Sequence, residues 1–452
     1  MSEMKSIRLR SKEERRFKQG HPWVFSNELQ ESPKNLGMGE VVELCDAGGR
    51  FLAYGFANPH SLISFRELSR DPEQAGLSPG RVEASFFQSK FAIAGAFRKS
   101  WFGSAQSHRK IYGEADGLSG LIIDRFAGAG TVVYVVQPHS AGMDANLPSI
   151  LSALSGDRSG DSGFESRLAI LRRDASSREK EGIAKHEPVV VDLASGREIP
   201  APGELRNFCF SVSGIMGSSL SLSADLIGGQ KTGFFFDQLQ NIRLLETLLL
   251  RKLRNDREAR SPGSVYRVLD LCSYVGQWSV HLAQTLAERE AFPAEFTCVD
   301  ASEAALRFAD ENLAAAGRAS GVAESLKRVM VKADVLKPLN GIEACGYDLV
   351  IADPPAFIKN RKSIPQGRQA YAQLFGTAIE KTKPGGLVVC CSCSQLLSHE
   401  DFREALGKAS RRSGRRVRWL AEGSPSFDHF TRLEFGEGHY LKCAIAQVDE
   451  SR

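Results

Sequence analysis

The chain has 452 residues, enough for roughly three domains at ~150 residues each. Apolar residues make up 42% and charged residues 25%, the mixture of a folded globular protein and not of a disordered or fibrous one. The formal charge is +4, from 58 Lys+Arg against 54 Asp+Glu, too mild by itself to imply a polyanionic partner. No uninterrupted apolar stretch reaches the ~18 residues of a membrane-crossing helix. The opening MSEMKSIRLRSKEERRF has no apolar core behind its charges, so a secretory signal is not expected and a cytoplasmic address is. The nine cysteines (Cys45, Cys209, Cys272, Cys298, Cys345, Cys390, Cys391, Cys393 and Cys443) are scattered through apolar runs, as free thiols of a reducing compartment are. With no HExxH and no paired CxxC sites, no metal site is expected.

In chain order, residues 1–75 alternate short apolar runs (HPWVFSNEL, GEVVELCD, FLAYGFANPHSLISFREL) with turn signals, which reads as a small all-β unit. It opens with Arg8, Arg10, Lys12, Arg15, Arg16 and Lys18, followed by Trp23 and Phe25. Basic residues interleaved with aromatics suit a polyanion whose bases can stack; a solvated face over two core aromatics accounts for them equally well. Residues 76–220 read as a second α/β unit, with a helical pattern over VEASFFQSKFAIAGAFRKSW and strands TVVYVVQ, LAILRR and PVVVDL. Its polar stretch 155–167, SGDRSGDSGFESR, predicts a loop and a candidate for a mobile one.

From 221 to 452 the pattern becomes strand and helix in alternation. A helix QLQNIRLLETLLLRKL leads to strand VYRVLDL, helix SVHLAQTLAERE, strand EFTCVD and helix SEAALRFADENLAAAG, with Ser302 as N-cap. Then come RVMVKAD, GYDLVIADPP, a helix over 369–383 and strand GLVVCCSCS. This order implies a mostly parallel, doubly wound sheet covered on both faces, with ligands beyond the carboxyl ends of its strands.

Asp270, Asp300, Asp334 and Asp353 lie at or near four of those ends, so four carboxylates are expected to converge. The first loop, SYVGQW, has the single Gly276 where the chain must turn closely past a ligand, and lacks the G-x-G-x-x-G of a dinucleotide site. Acids without a phosphate cradle suit a nucleoside with a positive centre, which is S-adenosyl-L-methionine. Each Asp taken singly is also a plausible cap or turn former.

Asp353-Pro354-Pro355-Ala356-Phe357 ends a buried strand, with two prolines fixing the backbone. Ser392-Cys393-Ser394 ends another, where an activated thiolate can reach the crevice. Such a thiolate activates a pyrimidine: addition to carbon 6 makes carbon 5 nucleophilic enough to take a methyl group. An acid near ring nitrogen 3, Asp353, stabilises the adduct. A purely structural thiol at Cys393 stays open on spacing alone.

These motifs, with HPWVFSNEL at 21–29, EADGLSGLIIDR at 114–125, GQKTGFFFDQ at 229–238, VLDLCSYVGQWSV at 268–280, DLVIADPPAF at 348–357, CSCS at 391–394 and EGHYLKC at 437–443, resemble over nearly the whole chain the RlmI-type family of class I methyltransferases. That family methylates carbon 5 of a cytosine in 23S ribosomal RNA. The resemblance implies an α/β fold: a Rossmann-like class I methyltransferase domain at 221–452, an all-β PUA domain at 1–75 and a small α/β middle domain at 76–220. It implies a cofactor loop at Ser273, Tyr274 and Gly276, a ribose acid at Asp300 beside Ala301, an adenine-side acid at Asp334, and a covering segment with Thr232 and Phe235. With Asp270 and Asp353 these complete the candidate cofactor site. Catalysis falls to Cys393 as nucleophile and to Asp353. Departures are Gln277 and Ala356, where many relatives carry Gly and Lys, and the serine-rich 155–167.

The expected partner is ribosomal RNA, 23S, at a single-stranded or loosely structured target, because the cytosine must leave its stack; no membrane is expected, and the resemblance implies a homodimer. RNA contacts are expected from Arg8, Arg10, Arg15, Arg16, Lys359 and Lys362, with Arg361 and Arg368 beside the last two. The run Arg411, Arg412, Arg415, Arg416 and Arg418 reads equally as a solvated helix end and turn. Three alternatives stand against this reading: methylation of another atom such as guanine nitrogen 7 without a thiolate, a DNA amino-methyltransferase, which Ala356 argues against, and a non-catalytic RNA-binding factor.

Overall fold

The structure is a computed structural model and describes residues 4–103, 106–128, 130–214, 217–256, 264–287 and 293–451. Among them no helix is long and apolar enough to cross a membrane. The chain divides into two compact units. The first comprises Met1–Ser211, Ala224–Phe236 and Phe427–Gly438; the second comprises Val212–Ser223, Asp237–Ser426 and His439–Arg452.

In the first unit, five strands form a sheet in the order Ser6–Arg8, Val41–Cys45, Phe51–Ala57, Ile63–Ser69, Trp23–Phe25. Their alternation turns Ile7, Val24, Val42, Leu44 and Phe65 into one core. A six-stranded sheet follows, in the order Arg197–Ile199, Val189–Asp192, Ser166–Leu171, Thr131–Pro138, Leu121–Gly128, His108–Tyr112. Helix Ala84–Lys99 buries Phe87, Phe91 and Ala94 on one face, and helix Leu147–Gly156 buries Ile150, Ala153 and Leu154, in a core shared with Val132, Tyr134 and Val136 of the sheet.

The polar stretch expected as a mobile loop is in fact tied down. Its Asp161 is buried and accepts from Arg125 Nε at 3.1 Å, Arg167 Nε at 2.8 Å and the Tyr134 hydroxyl at 2.6 Å. Three donors on one buried carboxylate compensate its desolvation and fix the segment. The segment 224–236 also joins this unit: Phe234 and Phe236 pack with Phe126 and Phe210 in an aromatic cluster.

The second unit is built on seven strands: β1 (Tyr266–Leu271), β2 (Ala294–Asp300), β3 (Leu326–Lys332), β4 (Tyr347–Ala352), β5 (Thr382–Ser392), β6 (Arg415–Gly423) and β7 (Lys442–Ser451). Their order is 3-2-1-4-5-7-6. The first five pair in parallel, and β7 runs antiparallel between β5 and β6. The helices are α1 (Leu239–Asp256), α2 (Gln277–Ala287), α3 (Glu303–Ala319), α4 (Ile364–Lys381) and α5 (His399–Arg412). Ser302 caps α3, accepting from the Ala305 amide at 3.2 Å. The tail expected for α2 at 288–290 lies outside the described residues.

Strands β1, β4 and β5 read as continuous apolar runs because both faces are covered; every residue of β4 is buried. The terminal hairpin β6–β7 is the element that differs from expectation. Arg411 and Arg412 end α5, while Arg415, Arg416 and Arg418 open an edge strand instead of a turn. Strand order reverses between β1 and β4, the place where a doubly wound sheet opens a ligand crevice beyond its carboxyl ends.

Candidate active site

The loop leaving β1 is wound tightly. Cys272, Tyr274 and Gly276 all have positive φ, at 66°, 49° and 78°; the two non-glycine residues store roughly 1–3 kcal/mol each. The loop is held by hydrogen bonds from the Cys272 and Ser273 amides to the Val299 carbonyl, from the Tyr274 amide to Asp300 at 3.0 Å, and from Asn312 Nδ2 to the Val275 carbonyl at 2.9 Å. Gly276 meets a demand from packing that the sequence does not announce. A Cβ there would sit 3.1 Å from Ala309 Cα and Cβ of α3, so the glycine is required by its φ and by helix packing.

Asp270 is fully buried within β1. Its Oδ2 accepts from the Ser279 hydroxyl at 2.7 Å, and its Oδ1 has no donor among the described residues. Burial pushes its carboxyl up to about 7, assisted by the charges of Asp353 and Asp300. Asp300 closes β2 and accepts from the amides of Tyr274 and Ser302, at 3.0 and 2.8 Å, with the exposed Ala301 next to it. Asp334, just past β3, is exposed and accepts from the Leu336 amide at 3.0 Å. Asp300 and Asp334 are thus turn formers as well as members of a cluster. Burial pushes the Cys272 thiol well up, and the charges of Asp300, Asp353, Asp270 and Asp334 push it further, so all four carboxylates act on one point. The orphaned Oδ1 and the concentration of acids fit a ligand with hydroxyls and a positive centre.

The second half of the site joins the ends of β4 and β5, neighbours in the sheet. The Asp353 carboxylate accepts from Gln238 Nε2 at 2.9 Å and from Trp278 Nε1 at 3.0 Å, and Asn241 Nδ2 holds Gln238 Oε1 at 2.7 Å. Cys393 is half-buried, and its Sγ donates to the Pro354 carbonyl at 3.9 Å. The flanking serines lock this arrangement. Ser394 Oγ accepts from the Ile358 amide at 3.1 Å and pairs with the Tyr371 hydroxyl at 2.8 Å, while Ser392 Oγ accepts from the Ser394 amide at 3.2 Å. Thiol and carboxylate are therefore carried on two loops stitched to each other.

Thr232 and Phe235 fall in the first unit. Thr232 is fully buried and its hydroxyl donates to Asp124, which also pairs with Arg109 at 2.8 Å; Phe235 lies under the Lys231 ammonium at 4.6 Å. The basic residues separate into two kinds. Arg8 and Arg15 are exposed, as are Lys359, Arg361 and Lys362 directly after the Asp-Pro-Pro segment, and Arg10 is exposed with its Nε donating to the Leu29 carbonyl at 2.7 Å. Arg16 instead pairs with Glu28 at 2.8 Å and donates to the Trp23 carbonyl. Arg368 pairs with Asp401, and Arg415 is buried on the Thr382 and Asp449 carbonyls. Of the two readings of Trp23, the packed aromatic is the one the contacts favour: its indole N–H donates to Glu114 at 2.9 Å, and Phe435 and the Arg66 guanidinium cover its ring.

Comparison with known proteins matches residues 7–70 to the PUA-like domain family. The ribosomal RNA large subunit methyltransferase of Deinococcus radiodurans is 31% identical over 98% of this chain and 97% of its own length. The chain belongs to the ribosomal RNA large subunit methyltransferase family. The ribosomal RNA large subunit methyltransferase I of Klebsiella pneumoniae subsp. pneumoniae is 29% identical over 95% of this chain and 94% of its own. A putative SAM-dependent methyltransferase from Streptococcus mutans has the same fold, with a TM-score of 0.69 at 18% identity over 98% of this chain and all of that one.

In this methyltransferase, three site residues carry no sequence expectation: Gln238 and Trp278, which hold Asp353, and Lys442, which reaches the Cys393 loop. Each lies inside a motif already marked (GQKTGFFFDQ, VLDLCSYVGQWSV, EGHYLKC).

Proposed function

We propose that this protein is an S-adenosylmethionine-dependent methyltransferase of 23S ribosomal RNA that methylates carbon 5 of a cytosine through a covalent Cys393 adduct. The observation that supports it is the pairing of the Cys393 thiol with the Asp353-Pro354 segment, Sγ to the Pro354 carbonyl at 3.9 Å, at adjacent strand ends. Residues 1–75, 76–220 and 221–452 serve as PUA, middle and catalytic domains in this reading. Asp270, Ser273, Tyr274, Gly276, Asp300, Ala301 and Asp334 hold the cofactor. The cofactor supplies an electrophilic methyl group on a sulfonium and leaves as the neutral thioether.

The Cys393 thiolate adds to carbon 6 of the cytosine, and the electron pair of the 5,6 double bond becomes available at carbon 5. Nitrogen 3 takes a proton from solvent as the thiolate adds and returns it when the adduct collapses; Asp353, its oxygens aimed by Gln238 and Trp278, accepts the hydrogen bond from that protonated edge. After carbon 5 is methylated, its proton leaves to a base, the carbon–sulfur bond breaks, and the thiolate is restored. Arg8, Arg10, Arg15 and Arg16 bind RNA backbone, as do Lys359 and Lys362 beside the crevice. Extrusion of a target already outside a stable stack costs least.

The test is methyl transfer from labelled S-adenosylmethionine to unmethylated 23S ribosomal RNA, with nucleoside analysis of the product. Wild type is expected to yield 5-methylcytidine and Cys393→Ala none. Methylation by Cys393→Ala, or a methylated guanine in the product, overturns the thiolate reading.

A further inference from the structure

Lys442, the first residue of β7, stands directly across the sheet from Ser392 and is 1% exposed. Its Nζ donates to the Ser394 carbonyl at 2.7 Å and to the Tyr440 carbonyl at 2.7 Å. Its partner in the ladder precedes Cys393 by one residue and its hydrogen-bond acceptor follows it by one, which places the amine on the turn that carries the thiol. Among the described residues no carboxylate pairs with it. A buried ammonium with only neutral acceptors is costly. Burial pulls it down to about 8, against the opposing influence of Cys393.

We propose that Lys442 is a positioning residue that holds Cys393 as a thiolate, serving as its counter-ion before addition and again on release. This rests on the reading of Cys393 as nucleophile. The thiol proton passes to solvent and Lys442 keeps its own. When sulfur bonds to carbon 6 its negative charge moves into the pyrimidine and the ammonium loses its anion; when that bond breaks the anion returns. The ammonium therefore favours the thiolate both as attacking and as leaving group. The other titratable groups around the thiol are Tyr371 of α4, which burial and Cys393 raise, Asp353 at the exit of β4, whose neighbour Pro354 receives the Sγ hydrogen bond, and the buried Cys391 and Cys443 of β5 and β7. Of these groups and Lys442, only Lys442 carries positive charge.

The experiment is peptide-resolved alkylation of Cys393 by iodoacetamide in the full, ligand-free chain across about pH 6 to 10, which spans thiol ionisation. Wild-type Cys393 is expected to titrate below the ordinary ~8.5, Lys442→Met to shift it upward by about one unit or more, and Lys442→Arg to retain most of the wild-type value. At neutral pH, Lys442→Met is expected to lower kcat about tenfold and to recover as pH rises, which lost packing does not do. An unchanged Cys393 profile in folded Lys442→Met overturns the proposal. If that variant fails to fold, a wild-type Cys393 titrating at or above ~8.5 overturns it instead. The two readings fail separately: methylation by Cys393→Ala removes the nucleophile and leaves the thiol shift standing, whereas a missing shift with inactive Cys393→Ala removes only Lys442.

Discussion

Two thiols stand at carboxyl ends of strands in the same sheet, Cys272 just past β1 and Cys393 just past β5, and their surroundings are opposite. Cys272 lies among four aspartates, which with burial hold its proton on. Cys393 sits on a loop stitched by serines, whose Ser394 carbonyl holds the buried Lys442 amine. One crevice thus carries an acidic end suited to a cationic nucleoside and a thiol end suited to anionic sulfur. In the proposed mechanism the charges around the two thiols, and not their position on the strand, separate Cys393 from Cys272.

Three changes probe that contrast, beyond the loss of activity expected for Cys393→Ala. The largest effect is expected for Asp353→Asn, which puts an amide where Gln238 and Trp278 need an acceptor. Single-turnover methylation should fall on the order of 10²-fold or more, while Cys272, relieved of one of its four charges, becomes easier to ionise. A rate within a few-fold of wild type removes Asp353 from the chemistry.

Asp270→Asn acts on stability. The folded carboxyl, at about 7, lies above the ordinary ~3.9, so between those values the folded chain binds more protons than the unfolded one. Stability therefore falls as pH rises through that window. The variant should match wild type below about pH 4 and gain above it, by at most about 4 kcal/mol once past pH 7. Thermal melts of ligand-free protein at several pH values check this, and a pH-independent difference refutes it. Binding of S-adenosylmethionine should weaken in the same variant.

The smallest effects separate the basic residues of the N-terminal arm. Arg16→Ala removes the partner of Glu28 and should cost about 1–3 kcal/mol of stability. Arg15→Ala should leave the melting temperature nearly unchanged and reduce the salt dependence of RNA binding by a slope of about 1. Equal melting temperatures for the two variants contradict the division.

The parallel half of the second unit is legible in the sequence because apolar runs such as VYRVLDL and DLVIAD alternate with amphipathic helices, a change of period that few other folds produce. The edge strand β6 is not, because RRVRWLAEG is mostly solvated and has no apolar run to mark it. The four acids are legible as strand-end residues, but the packing demand on Gly276 is not: Ala309 of α3 meets it only through tertiary packing. Trp23 reads equally as a base-stacking or a packed aromatic until Glu114, Phe435 and Arg66 are seen around it. Lys442 reads as an ordinary lysine entering a strand, and only the pairing of β5 with β7 brings it beside Cys393.

The most direct test of the central claim is trapping with 23S ribosomal RNA carrying 5-fluorocytidine, in the presence of S-adenosylmethionine. Fluorine on carbon 5 cannot leave as a cation, so an adduct that needs to lose a proton there persists. Digestion and mass spectrometry should find the nucleotide bonded to Cys393, with Cys272 unmodified. Methylated RNA with no covalent complex, or a complex on any other cysteine, contradicts the account.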